Sequence, residues 1–198
     1  MTAQATSASQ YRELHTPRLI MRNWCDADLP IMAQLNADAE VMRYFPATLT
    51  REQSDSMVHH WQQQFALQGW GNWAVEIKRS GELIGFVGLS VPRRALPFMP
   101  CVEIGWRLRR AFWGQGLASE AAQFALRFGF TELGLEEIVS FTSLLNMRSR
   151  AVMQGLGMRN AEQDFDHPAL ADGHLLQRHC LYRLSNRDWQ TIQQAAQA

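Results

Sequence analysis

Two glycines set two residues apart, Gly114 and Gly116, open the stretch of this chain richest in chemistry. Neither carries a Cβ, so a ligand can approach the main-chain N–H groups around them, and the helix-forming sequence that follows adds the positive end of its dipole. That combination suits a pyrophosphate. Arg107, Arg109 and Arg110 stand just before the glycines, where guanidinium groups can pair with phosphates, with Phe112 and Trp113 as packing anchors. Gln115, Leu117, Ala118 and Ser119 complete the candidate cradle. Leu117, Ala121, Phe124 and Phe128 recur at helical spacing and give the apolar stripe that fixes the helix on a sheet.

Two familiar phosphate motifs do not fit. A dinucleotide fingerprint puts its first glycine at the strand end, whereas Arg109 to Trp113 intervene here and Ser119 takes the place of the third small residue. The acidic pair Glu136 and Glu137 also opens a strand instead of closing one. A P-loop needs Gly-Lys-Ser/Thr, and the only lysine is Lys78.

Four cues in order give a resemblance. They are TPRLIMRNWCDADL from Thr16 to Leu29, VEIGWRL, FWGQGLASEA, and Asn146-x-x-Ser149 with Gly157-Met158 downstream. Together they resemble the GCN5-related N-acetyltransferases (GNAT), and within them the branch of the RimJ and RimL enzymes that acetylate ribosomal protein N-termini. The resemblance implies an α/β fold with a mixed, mostly antiparallel central sheet flanked by helices. It also implies acetyl-CoA as cofactor, released as CoA. In that family main-chain amides of a Gln/Arg-x-x-Gly-x-Gly/Ala loop hold the pyrophosphate, matched here by Gly114 and Gly116, with Ala111 departing from the first position.

Acetyl transfer to an amine makes physical demands of its own. The amine must lose its proton before it can attack, so a base or a water chain is needed. The thioester oxygen needs an N–H donor, and the departing thiolate is helped by a proton source. Glu103 is the candidate base, because it stands in an otherwise apolar strand where burial raises a carboxyl pKa. A structural carboxylate satisfied by an arginine or a main-chain donor is the alternative. Main-chain amides about Trp106 to Leu108 are candidates for the oxygen and pantetheine contacts. Asn146 and Ser149 lie where a strand hands over to a helix. The resemblance implies that both face the pantetheine arm and that Ser149 protonates the thiolate, while Asn146 alone also reads as an ordinary N-cap.

The acceptor site is less legible. Trp70, Asn72 and Trp73 are candidates, as are Asp164, Phe165, Asp166 and His167. His167 before Pro168 reads as a loop-shaping residue, and adjacent His59 and His60 suit no chelate, so no metal is expected. Cys25, Cys101 and Cys180 are odd in number and widely spaced, which argues against disulfides and reads as small buried residues.

The elements that must position these groups alternate between strand and helix. Strands are expected at 18–24, 73–78, 83–89, 101–108, 137–142, 157–161 and 178–184. Helices are expected at about 28–37, at 50–67 behind a Thr50-x-x-Gln53 capping box, after Gly116, at 146–154, and after Ser185. Residues 1–10 are expected to be flexible and 11–198 to form one domain.

The 198 residues are 46% hydrophobic, enough for a substantial core, and 19 basic residues balance 19 acidic ones. Zero formal charge gives no general attraction for nucleic acid or membrane. The absence of a leader or a long apolar span leads to the expectation of a cytoplasmic protein, as a monomer or homodimer. Three functions fit, in this order: an acetyltransferase acting on a protein N-terminal amine, the same reaction on a small amine such as an amino acid, polyamine or antibiotic, and a non-catalytic acyl-CoA-binding module.

Overall fold

The computed structural model describes residues 13–196, so the expectation for residues 1–10 lies outside the described residues. The chain runs β1 (Leu14–His15), β2 (Leu19–Arg22), α1 (Leu29–Ala37), α2 (Arg51–Gln68), β3 (Asn72–Ile77), β4 (Glu82–Ser90) and β5 (Glu103–Leu108). It continues through α3 (Leu117–Thr131), β6 (Glu137–Ser143), α4 (Met147–Gly155), β7 (Arg159–Asn160), β8 (Phe165–Asp166), β9 (Arg178–Ser185) and α5 (Asn186–Ala195). The strands form one sheet in the order β1-β2-β3-β4-β5-β6-β9-β7, with β8 also pairing to β9. Every pairing is antiparallel except that of β5 with β6.

That exception shapes the molecule. β5 pairs with β4 along its whole length, from Ser90↔Glu103 to Gly85↔Leu108. It meets β6 at the register pair Glu103↔Val139, where the Val139 N–H donates to the Val102 carbonyl at 3.0 Å. One step on, the Ser140 hydroxyl donates to the Ile104 carbonyl at 2.9 Å, a side chain doing what a ladder bond would otherwise do. The strands then part, leaving the far edge of β5 facing a wedge. The Arg109 N–H donates to Ile84 on the β4 side at 2.7 Å. Alternate residues of an antiparallel ladder turn opposite ways, so the main-chain groups of Trp106 and Leu108 face the wedge.

Local sequence explains the helices around the sheet. Thr50 and Gln53 close the expected capping box at the start of α2, and Ser185 accepts from the Asp188 N–H at the start of α5. α3 buries Leu117, Ala121, Ala122, Ala125, Leu126 and Phe128, a wider apolar face than the single stripe read from sequence. Trp73 is wholly buried, edge-on to both Phe65 and Phe128, and is a core residue instead of an acceptor contact. Among the cysteines only Cys180 is buried; Cys25 is exposed, against expectation, because the turn before α1 carries it outward.

One buried ion pair fixes α1 to the sheet. Asp28 takes both Arg22 Nη1 and Nη2, at 2.8 and 2.9 Å, and its Oδ2 also accepts the Cys25 N–H. Arg22 Nε reaches Glu76 at 2.8 Å. Burial opposes ionisation of Asp28, but the Arg22 guanidinium and the Cys25 N–H outweigh it and hold the carboxyl below its usual range. Its contribution is therefore present above the ordinary carboxylate pKa and lost as pH falls through the lowered value. Asp28→Ala leaves a half-buried guanidinium with one partner fewer and is expected to cost about 3 kcal/mol, lowering the Tm at pH 7 by roughly 6–12 °C in a thermal melt.

Candidate active site

The wedge between β5 and β6 opens into a cavity of about 1510 Å³ that continues under the segment after α1, under α2 and under the loop after β4. One end is the glycine loop. A short 3-10 turn, Arg110–Phe112, leads into Gly114 and Gly116, which take φ of 72° and 73°. Both lie in the left-handed region that side chains disfavour, and open space stands where a Cβ would be on Gly114. Among the described residues, no hydrogen bond is donated by the main-chain N–H of any residue from Gly114 to Ser119. The first helical bond of α3 is Glu120 N–H to the Gly116 carbonyl. A run of free amides at a helix start is an anion site by construction.

The loop is held from three sides. Trp113 Nε1 donates to the Leu108 carbonyl at 2.7 Å, and Arg18 Nη1 donates to the Gln115 carbonyl at 3.0 Å. Arg18 Nε also pairs with Glu120 at 2.6 Å, while Glu120 accepts the Thr16 hydroxyl at 2.5 Å and the Arg18 N–H at 2.8 Å. Lys78 secures Thr16 in turn through its carbonyl. This clamp joins two of the sequence cues, Thr16-Pro17-Arg18 and the stretch around Glu120, and was not anticipated from either.

Of the residues expected at the cofactor, Trp106, Leu108, Gly114, Gly116, Leu117, Ala118, Ser119, Asn146 and Ser149 line the cavity. Arg109, Arg110 and Gln115 do not. Arg109 pairs with Glu82 at 2.5 Å and lies over Phe112, Arg110 is exposed, and the Gln115 side chain donates to the Ala111 carbonyl. Arg107 also misses the phosphate end, since strand parity turns it to the opposite face of β5 from Trp106 and Leu108. Besides Arg18, which clamps the loop from behind, Arg148 stands by it and lines the cavity, over the Trp113 ring at 4.6 Å. Its position between Asn146 and Ser149 was the available signal.

Asn146 caps α4. Its Oδ1 accepts the Ser149 N–H at 3.2 Å and its Nδ2 donates to Thr142 at 3.0 Å, so both ends of the amide are engaged. The Ser149 hydroxyl has no partner among the described residues and lines the cavity. Across the sheet, Glu103 accepts the Ser90 hydroxyl at 3.0 Å. Burial pushes its carboxyl up to about 7, with the Ser90 bond pulling weakly the other way. A carboxyl poised there can exchange a proton at neutral pH. His167 also lines the cavity, stacked near His179 at 4.8 Å. Burial, then His179 and Arg94, hold it down at about 4, and its Nδ1 accepts the Ala169 N–H, as a loop-shaping residue does. Asn72 reaches the cavity, whereas Phe165 is buried against Phe98 and Phe141.

Residues 18–159 match the family model described as Acetyltransferase (GNAT) domain. The chain belongs to the GNAT acetyltransferase family. GNAT membership makes it an acetyl-CoA-dependent N-acetyltransferase, and the free amides of the glycine loop fit the pyrophosphate of that cosubstrate. It is 32% identical over 193 residues to the FsC-acetyl coenzyme A-N(2)-transacetylase of Aspergillus fumigatus, covering 91% of this chain and 79% of the fungal one. A GNAT-family acetyltransferase from Bacillus anthracis superposes with a TM-score of 0.74 at 25% identity, covering 89% and 99% of the two chains. The ribosomal-protein-S5-alanine acetyltransferase of Vibrio fischeri does so with 0.67 at 19% identity, covering 90% and 98%, a likeness of fold alone. No helix of the described residues is long and apolar enough to cross a membrane.

The raised Glu103 pKa has a consequence for stability. The native state holds the proton more tightly than the unfolded chain, so Glu103 costs nothing below about 4.5 and progressively more as pH rises to about 7. Denaturation of Glu103→Gln beside the unmutated protein is expected to show the variant gaining on the order of 3 kcal/mol relative stability between pH 4.5 and 8. A difference that stays flat with pH contradicts the shift.

Proposed function

We propose that this GNAT enzyme acetylates the primary amine of a small acceptor by direct attack on the thioester. The observation that carries the reading is the placing of Glu103 and Ser149 on one continuous cavity, with the glycine-loop amides at its other end. Acetyl-CoA supplies an acyl carbon already activated as a thioester. The N–H groups from Gly114 to Ser119 bind its pyrophosphate, with Arg148 as counter-charge. The wedge-facing N–H groups of Trp106 and Leu108 hold the pantetheine arm and the thioester oxygen. Glu103 takes one proton from the acceptor ammonium, the neutral nitrogen bonds to the acyl carbon as the carbon–sulfur bond breaks, the Ser149 hydroxyl gives its proton to the sulfur, and the second proton of the nitrogen returns to the Ser149 oxygen through water. Asn146 contributes by orienting the first turn of α4, which carries both Arg148 and Ser149.

A small acceptor is favoured because the fungal relative at 32% identity is named for transfer to a nitrogen designated N(2). The protein N-terminus ranked first from the sequence falls to second, since its support is the RimJ and RimL resemblance and a ribosomal-protein acetyltransferase whose likeness is in fold alone. A non-catalytic module needs neither Glu103 facing the cavity nor a free Ser149 hydroxyl.

Saturating acetyl-CoA, at about a hundred times its dissociation constant, is expected to stabilise the protein by roughly 2.7 kcal/mol and raise the Tm by about 5–10 °C, with NADH at equal concentration giving no rise. In the thiol-release assay, kcat/KM is expected to climb with pH and level off near 7, where Glu103 ionises. Glu103→Gln should lower the plateau by about 10²–10⁴-fold and abolish the bend, with the acetyl-CoA Tm rise intact. Ser149→Ala should lower kcat while leaving that rise unchanged; wild-type kcat in this variant removes Ser149 from the chemistry.

A further inference from the structure

The acceptor half of the cavity contains a cation that the chain does not neutralise. In the β4–β5 ladder, Ser90 pairs with Glu103, Gly88 with Gly105 and Phe86 with Arg107, so Glu103, Gly105 and Arg107 follow one another along the same face of β5. Arg107 lines the cavity, and its guanidinium lies 4.0 Å from the Phe45 ring and 5.5 Å from the Phe86 ring. Nη1 donates to Asn36 Oδ1 at 2.6 Å, and Asn36 is itself oriented by donating Nδ2 to Ser54 at 2.9 Å. Nε is buried without a partner. No carboxylate of the described residues pairs with the group. Burial alone lowers its pKa, to about 10, so it stays charged at neutral pH. Removing a carboxylate partner from a buried charge is strongly destabilising, and a guanidinium held without one is built to meet an anion from outside.

We propose that Arg107 binds a carboxylate carried by the acceptor itself, which makes the substrate an amino-carboxylate of the amino-acid class. Between Glu103 and Arg107, whose Cα atoms are about 13 Å apart along the strand, lies Gly105, and a Cβ there would meet nothing within 4 Å. The two side chains thus reach toward each other over an open floor. A molecule with its amine and its carboxylate a few bonds apart spans that floor, amine at Glu103 and carboxylate at the guanidinium. Phe45, Phe86 and Asn36 hold the guanidinium in place, so Arg107 selects the acceptor and takes no part in proton transfer.

This rests on the acetyl-transfer reading, and the test separates the two. Thiol release is measured with the common L-amino acids, their carboxamides and tetrapeptides with free N-termini. The expected result is a preference for carboxylate over carboxamide of about ten- to hundred-fold in kcat/KM. That preference collapses to within about two-fold in Arg107→Met, is partly kept in Arg107→Lys, and the acetyl-CoA Tm rise persists in both. Carboxamides or tetrapeptides turned over as well as the acids, or a preference that survives Arg107→Met, overturn the assignment while leaving acetyl transfer standing. Loss of the acetyl-CoA Tm rise in the unmutated protein would instead sink the acetyl-transfer reading. Binding gives a readout that needs neither turnover nor a folded variant. With CoA saturating, N-acetyl-L-amino acids should raise the Tm of the unmutated protein and their amides should not; no rise with any acid overturns the proposal.

Discussion

The parting of β5 from β6 after a single register pair governs everything else in this molecule. A parallel ladder that continued would have satisfied the edge of β5 and left a closed sheet. Here the Ser140 hydroxyl takes over at the Ile104 carbonyl, the ladder stops, and the amides of Trp106 and Leu108 face a wedge. Unpaired main-chain groups inside a protein are costly unless water or a ligand meets them. The same interruption opens the path between the glycine loop on one side and the Glu103 face on the other. The sheet therefore supplies the binding site by where it fails to pair.

The two faces of β5 divide the labour by parity. Even-numbered Trp106 and Leu108 turn their main-chain groups to the wedge, while odd-numbered Glu103 and Arg107, with the bare Gly105 between them, present side chains to the acceptor half of the cavity. One six-residue strand thus addresses both reactants. α1 is needed for this because it carries Asn36 to Arg107, and the Arg22–Asp28–Glu76 cluster anchors its start to β2 and β3. A structural ion pair at one end of α1 thereby sets the position of a polar contact at the other.

Local signals were legible in the sequence and long-range ones were not. The Thr50–Gln53 box and the Ser185 cap each involve residues a few positions apart, and each formed where expected. Glu103 was legible because a carboxyl in an apolar strand stands out by burial alone. The arginines misled, because a cationic run reads as one patch although Arg107, Arg109 and Arg110 go three ways: to the acceptor face, to Glu82 and to solvent. Applying strand alternation to Glu103, Gly105 and Arg107 would have separated the first of them. The short strands β1 and β8 escaped notice because two residues are too few for a periodic signal, and their pairing is dictated by β2 and β9.

The clamp on the glycine loop has a consequence for how the chain acquires its binding competence. Arg18 and Thr16 reach Gln115 and Glu120 across separations of 97 to 104 residues. Contacts of that range close slowly, because the entropy of a large loop must be overcome before any of them forms. α3 can wind early from its own apolar periodicity, yet the left-handed turn ahead of it is tied down only once the first strands have docked onto β3. Helical content and phosphate affinity should accordingly be gained at different times during refolding, the N-terminal strands acting as the latch that converts a folded helix into a receptive one.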